Sequence, residues 1–370
     1  MQTLHELLVV LVDSQGSDLF ISAGAAPSIK VNGQIKALSE TRMTRKEADE
    51  MIFGTMTDAQ KETFQRTKEF NFAISIEGLG RFRISAYQQR STYGAVFRRI
   101  ETVIPELKDL NMPIVVEDFA LIQRGLVIFV GATGTGKSTT LAAMVEHRNH
   151  TTQGHIISIE DPIEFMHKHD KCIVTQREVG VDTESYEVAL RNTLRQAPNV
   201  IMIGEIRTRE TMLQALTFAE TGHLCLATLH ANNANQALDR IAHFFPADNL
   251  RQLWMDLSLN LRAIVAQQLI PRIDGKGRIP AVEILINTPI ISERIRAGEI
   301  DVIKEFMTKL TEQGMQTFDQ SLFKLYSEGK ISYESAIQYA DSENEVRLMI
   351  KLSKGSKFGS ALGSLSMRDD

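Results

Sequence analysis

"LVIFVGATGTGKSTTLAAM" runs from Leu126 to Met144, and its reading decides the fold. An apolar run, Leu126 to Val130, stops at Gly131; glycines follow at 134 and 136, then Lys137 and Ser138. That is the order of a G-x-x-x-x-G-K-[ST] phosphate loop set between a buried strand and a helix. Glycine lacks the side chain that would stop backbone N–H groups turning inward around phosphate oxygens. The following helix points its positive end at the same spot. Gly131, Ala132, Thr133, Gly134, Thr135, Gly136, Lys137, Ser138 and Thr139 are therefore expected to bind nucleotide. Lys137 would reach the β and γ phosphates and Ser138 would hold Mg²⁺, so ATP and Mg²⁺ are the expected cofactors. A glycine-rich turn that binds nothing has no need of strand, motif and helix in register.

Working outward, "HIISI", "NVIMI" and "HLCLATL" are further short apolar runs, separated by helical patterns. Dense apolar strands alternating with helices predict an α/β fold whose parallel sheet is covered on both faces. Ligands in such sheets bind at the C-terminal strand ends. "NVIMIGEIR" delivers Glu205 there in the manner of a Walker B strand, making it a second expected Mg²⁺ ligand. "IISIEDPIEF" delivers Glu160, Asp161 and Glu164, which repel one another unless a cation or arginine compensates. A solvated acidic turn is the plainer alternative. Phosphoryl transfer also needs positive charge. The candidates are Arg81, Arg83, Arg98, Arg99, Arg191, Arg195, Arg207 and Arg240, although most arginines of any chain are surface residues.

"GHLCLATLHANN", Gly222 to Asn233, has His223, Cys225 and His230 close together and invites a metal reading. Strand geometry removes it. Residues seven apart on a strand face opposite sides, and these histidines would lie roughly 23 Å apart. His230 ends the strand where ligands bind; His223 begins it at the opposite edge. A structural histidine is the plainer reading of either.

Residues 1–100 read as a separate α+β unit. "DLFIS", "APSIKVNGQIKAL" and "RFRISAYQQRSTYGAVFRRI" alternate as half-buried strands do, and Asn32-Gly33 signals a hairpin. "TRKEADEMIFGTM" and "DAQKETFQR" read as amphipathic helices, with Thr44 and Glu47 as a capping box. Residues 101–113 read as a linker, 114–352 as the nucleotide domain with C-terminal helices, and the Ser/Gly-rich residues 353–370 as a disordered tail.

Composition narrows the function. The chain has 370 residues, a net charge of -5 and two cysteines, Cys172 and Cys225. No basic field points to nucleic acid, and so few cysteines suit a reducing compartment. "LLVVLV", Leu7 to Val12, reads as a buried helix face, far short of the ~20 residues of a membrane span. Work at a membrane would require recruitment.

Taken in order, "GATGTGKSTTLAAM", "IEDPIEF", "CIVTQREVG", "GEIRTRET" and "AETGHLCLATLHANNA" resemble the Walker A, Asp box, Walker B and His box of type IV pilus and type II secretion ATPases. Within them the chain is similar to the PilT/PilU family of retraction motors, over about residues 1–352. The resemblance implies a RecA-like P-loop ATPase domain behind a PAS-like N-terminal domain. It implies a cytoplasmic homohexamer at the inner-membrane base of a pilus machine, working on an inner-membrane platform protein to drive twitching motility. It implies that Glu164 and Glu205 are the catalytic carboxylates and that His223 and His230 lie near the γ-phosphate and the subunit interface. Arg83 and Arg98 match the family's phosphate-reaching arginines; Arg207 and Arg240 are candidates for the same duty. Departures at Phe20, at Ala197-Pro198-Asn199, at Thr208 and in "ISERIRAGEI" favour the accessory, PilU-type branch, which works with a PilT-type partner ATPase. The rivals are a pilus assembly or type II secretion ATPase, against which the two cysteines and early first domain argue, and a DNA-translocating secretion ATPase, against which the charge argues.

Overall fold

A computed structural model describes residues 3–31 and 33–363. Its contacts divide into two compact units. The first comprises the residues up to Val103 together with Asp161–His167 and Arg177–Ser185. The second comprises Ile104–Glu160, Lys168–Gln176 and the residues from Tyr186 onward. Two segments that the sequence assigns to the nucleotide domain thus belong to the first unit.

The first unit opens with α1 (Leu4–Asp13), whose capping box joins Thr3 and Glu6. Leu7, Leu8 and Leu11 are buried, which is the helix face expected of "LLVVLV". Strands β1 (Asp18–Ser22), β2 (Ser28–Val31) and β3 (Gln34–Ala37) follow, then helices α2 (Arg45–Phe53) and α3 (Asp58–Thr67). Strands β4 (Glu69–Ile76), β5 (Gly80–Gln89) and β6 (Thr92–Arg99) complete it. The six strands form one sheet in the order β3-β2-β1-β6-β5-β4. The β2–β3 hairpin turns through Gly33 at φ +80°; its expected companion Asn32 lies outside the described residues. Thr44 and Glu47 form the expected capping box on α2. Strand β4 was not anticipated. The sheet places Asp18 opposite Arg98 and Arg98 opposite Arg83, so three charges share one row across β1, β6 and β5.

The second unit contains α4 (Val115–Leu121), β7 (Gly125–Val130), α5 (Lys137–Thr151), β8 (Gly154–Glu160), β9 (Cys172–Glu178), α6 (Tyr186–Thr193), β10 (Val200–Ile203), α7 (Arg209–Glu220) and β11 (Leu224–Leu229). It continues with α8 (Ala234–His243), α9 (Leu250–Asn260), β12 (Leu261–Pro271), β13 (Arg278–Ile286), α10 (Pro289–Ala297), α11 (Ile303–Lys309), α12 (Phe318–Ser327), α13 (Tyr333–Gln338) and α14 (Glu343–Gly363). Seven strands form a sheet in the order β13-β12-β7-β11-β10-β8-β9. β7, β10 and β11 are buried along their whole length, as near-continuous apolar runs must be when both faces are covered.

One expectation is corrected. The sheet is mixed rather than wholly parallel, because β13 returns antiparallel against β12. The connection is short, with Gly275 and Gly277 at φ +70° and +83°, and a tight turn can only reverse the chain. Helix α14 runs to Gly363, into the segment that the sequence reads as a tail. The rest of that segment, 364–370, lies outside the described residues.

Strands β7, β8, β10 and β11 run parallel, so their C-terminal ends share one edge. That edge receives the phosphate loop after Val130, Glu160 at the end of β8, Glu205 just after β10 and His230 just after β11.

Candidate active site

The phosphate loop requires glycine at both of its ends. Gly131 has φ +152°, and a Cβ there would lie 2.6 Å from the Gln267 carbonyl oxygen. Gly136 has φ +92°, and a Cβ there would lie 2.7 Å from the Gln267 side-chain nitrogen. Strand β12 therefore walls the loop from behind, and only a residue without a side chain lets the backbone approach it. Gln267 is itself buried and accepts a hydrogen bond from the Thr140 hydroxyl at 3.0 Å. Nothing in the sequence near Gln267 marks it, since its partner lies 127 residues away.

Lys137 begins α5 and folds back over the loop. Its Nζ donates to the carbonyls of Gly131 at 2.8 Å and Ala132 at 2.9 Å. Burial lowers its pKa, and the negative charge of Glu205 opposes that shift, so the two charges are within electrostatic reach of each other. Thr135 closes the loop by donating to the Ala132 carbonyl at 2.9 Å. Ala132, Thr133, Gly134 and Ser138 are exposed, and Thr139 is half-buried in the first turn of α5.

Glu205 follows Gly204, where the backbone is crowded: a Cβ on Gly204 would lie 2.8 Å from the Tyr186 hydroxyl and 3.1 Å from Cα of Glu160. The Glu205 carboxylate lies 3.2 Å from Nε2 of His230 and accepts from Nε of Arg207 at 2.7 Å. The structure thus joins three residues singled out on separate grounds. Thr228 holds them in place by donating to the Gly204 carbonyl, while the amide of Ile206 returns to the Thr228 carbonyl at 2.8 Å. A cleft of about 440 Å³ opens over this edge, lined by Gly131, Ala132, His230, Asn232, Gln236 and Arg240. Arg240 stands over the Phe244 ring, 6.0 Å from its centroid.

Other expected residues lie elsewhere. His223 sits at the start of β11, where its carbonyl accepts from the amide of Gly125 and its ring meets Thr221. It occupies the sheet edge opposite the phosphate loop, and within one chain the two histidines do not meet. Glu164 is exposed and belongs to the first unit, as do Arg83 and Arg98. Each arginine has a carboxylate partner there: Arg98 reaches buried Asp18 at 2.8 Å, and Arg83 lies 3.9 Å from buried Glu178. Burial pushes the Glu178 carboxyl up, against the pull of the Ile163 amide and Arg83. The acids of "IISIEDPIEF" also separate, because Glu160 is buried and accepts from Ser158 at 2.6 Å and Gln176 at 3.2 Å. Cys225 is wholly buried, and burial raises its thiol pKa, so it is an inert core residue.

Among the described residues no cluster of three or more His, Cys, Asp or Glu side chains could hold a metal ion. Mg²⁺ takes one or two hard oxygen ligands from a protein together with substrate phosphates. The Ser138 hydroxyl and Glu205 carboxylate supply that donor chemistry on the cleft edge.

A family model described as "Type II/IV secretion system protein" matches residues 55–324. The "Type IV pilus ATPase PilU" of Pseudomonas aeruginosa is 61% identical over 94% of this chain and 91% of its own. The "Type IV pilus retractation ATPase PilT" of the same organism is 40% identical over 91% of this chain and 98% of its own. Among solved structures, that of the pilus retraction motor PilT with bound ADP superposes with a TM-score of 0.88 at 37% identity, covering 94% of this chain and 99% of that one. The chain belongs to the type II/IV secretion ATPase family, in its PilT/PilU branch, and is an ATPase.

Proposed function

We propose that this PilT/PilU-branch ATPase is a homohexameric motor that powers type IV pilus retraction and hence twitching motility. In this reading it is the accessory, PilU-type partner of a PilT-type ATPase. It sits in the cytoplasm at the inner-membrane base of the pilus and acts on the platform protein. The observation that carries the reading is the cleft edge, where the phosphate loop, Glu205 and His230 converge beside Arg240. The 61% identity to a PilU supports the choice of branch. Among the described residues no helix is long and apolar enough to cross a membrane, which fits recruitment to the machine.

The proposed chemistry follows from the side chains. The loop amides and Lys137 bind and orient the β and γ phosphates, exchanging the lysine's carbonyl contacts for phosphate oxygens. Ser138 and Glu205 would hold Mg²⁺, which would supply neutralisation of the developing phosphate charge. Glu164 and Glu205 act as the carboxylates that orient water and accept its proton. His230, whose Nε2 lies 3.2 Å from the Glu205 carboxylate, senses the γ-phosphate. Arg240 and Arg207 supply charge from the same chain, whereas Arg83, Arg98 and His223 act at the contact between subunits of the ring. Turnover then moves one subunit against the next.

The test is a deletion strain scored for surface pili and twitching, alone and with the PilT-type partner overproduced. Excess surface pili without twitching is the expected result. Loss of pili would overturn retraction in favour of assembly. Light scattering of the purified protein would separately contradict the ring if only monomers appear with ATP present.

A further inference from the structure

Around the start of α8 lies a set of carboxylates that the nucleotide chemistry does not use. Glu283, in the middle of β13, is 2% exposed. One of its oxygens accepts from the amide of Ala234, the first residue of α8, at 2.8 Å, and the other from the amide of Phe318, the first residue of α12, at 3.4 Å. Asp319, 1% exposed on α12, accepts from the amides of Asp341 at 2.9 Å and Ser342 at 3.1 Å, just before α14. Asp341 in turn accepts from Lys304 of α11 at 2.8 Å and from the side chain of Asn233 at 3.3 Å.

Asn233 is the pivotal residue. It caps α8 by accepting from the amide of Gln236 at 2.9 Å, and it lies three residues after His230 in the loop that lines the cleft. A second tie, from Asn235 to the Ile300 carbonyl at 3.1 Å, holds the same turn to the loop before α11. An apolar side chain would fasten helices at this point with no charge to bury. Buried carboxylates are expensive, and one recognised return is geometric definition. The two buried carboxylates, Glu283 and Asp319, accept from backbone N–H groups at or just before helix N-termini, which fixes direction as well as distance, while the more open Asp341 accepts from the Lys304 and Asn233 side chains.

We propose that Glu283, Asp319 and Asp341, with Lys304, form a positioning relay that fixes the start of α8 and the His230 loop against the C-terminal helices α11, α12 and α14. The orientation of His230 in the cleft then depends on helices outside the nucleotide fold. The relay gives the C-terminal helices a direct hold on turnover without contact to nucleotide. The groups that face Glu283 are Asp341 and Lys304, and burial raises the Glu283 pKa to about 7. The proposal rests on the reading of this cleft as the nucleotide site.

The test uses the full chain and two mild variants. Asn233→Ser keeps the capping oxygen and removes the donor to Asp341; Asp341→Ala removes the acceptor. Each is expected to lower kcat about tenfold, to leave the affinity for a fluorescent ADP analogue within about twofold, and to add nothing to the other in the double variant. Glu283→Gln is expected to lower kcat and flatten its dependence on pH between about 6 and 8. Unchanged kcat in the folded Asn233→Ser and Asp341→Ala proteins, or fully additive losses, would overturn the relay. So would parallel losses of kcat and nucleotide affinity. Lys137→Ala is the separate control: if it leaves turnover intact, the reading of the cleft fails, not the relay alone.

Discussion

Replacing Gly136 with alanine probes the wall behind the phosphate loop. The backbone there has φ +92°, a region that costs a residue with a side chain about 1–2 kcal/mol. The new Cβ would also sit 2.7 Å from the Gln267 side-chain nitrogen, closer than real contacts allow. Gln267 could swing aside, but its amide is anchored on the buried Thr140 hydroxyl at 3.0 Å. Breaking that bond leaves a buried hydroxyl unpaired, at a cost of about 1–3 kcal/mol. The sum is roughly 2–5 kcal/mol for Gly136→Ala. In a Gln267→Ala background the obstacle is gone and the hydroxyl is already unpaired, so only the backbone cost of about 1–2 kcal/mol remains. The cycle should therefore show a coupling of about 1–3 kcal/mol. Trp254 is the single tryptophan and lies in α9 of the nucleotide unit, so its fluorescence during urea unfolding reports on this unit. Additive losses, with coupling below about 0.5 kcal/mol, would refute the packing argument. A Gly136→Ala protein as stable as the parent would refute the backbone argument too.

Two further outcomes follow from the carboxylates. Glu205→Gln keeps an acceptor for His230 and Arg207 but loses the charge, so turnover should fall about a hundredfold or more while ADP-analogue binding holds within a few-fold. Binding and turnover that fall together would instead assign Glu205 to the ground state. Glu283 carries a pH signature: its buried carboxyl, raised from 4.5 to about 7, binds a proton in the folded state that the unfolded chain has released. Stability contributed at this site is therefore lost as pH rises from about 4.5 to about 7, by at most about 3 kcal/mol, and levels off above. Melting curves of Glu283→Gln should lack that slope; an identical slope in both proteins would contradict it.

The parts of the fold legible in the sequence were those with a local signature. The loop glycines, the apolar strands β7, β8, β10 and β11, and the Thr44–Glu47 cap each state their structure within a few residues. Strand β12 was hidden because it continues from α9 with no glycine or proline between Asn260 and Leu261. Its partner β13 was hidden with it, and with both went Gln267 and Glu283, whose meaning lies in contacts to Thr140 and to two distant helix N-termini. His230 was readable as a strand-end residue, and its place beside Glu205 agrees with that. The separation of His223 to the other edge followed from strand geometry alone. The grouping of Glu164 with the first unit had no local signal, because membership of a compact unit is set by long-range contacts.

The central claim is that ATP turnover in this protein pulls a pilus back. The direct measurement is the retraction force and frequency of single pili in an optical trap, on deletion cells that also carry a PilT-type motor. The cells are supplied with either the parent protein or Lys137→Ala. Frequent, forceful retraction with the parent and its loss with Lys137→Ala is the predicted result. Equal retraction with both would contradict the account.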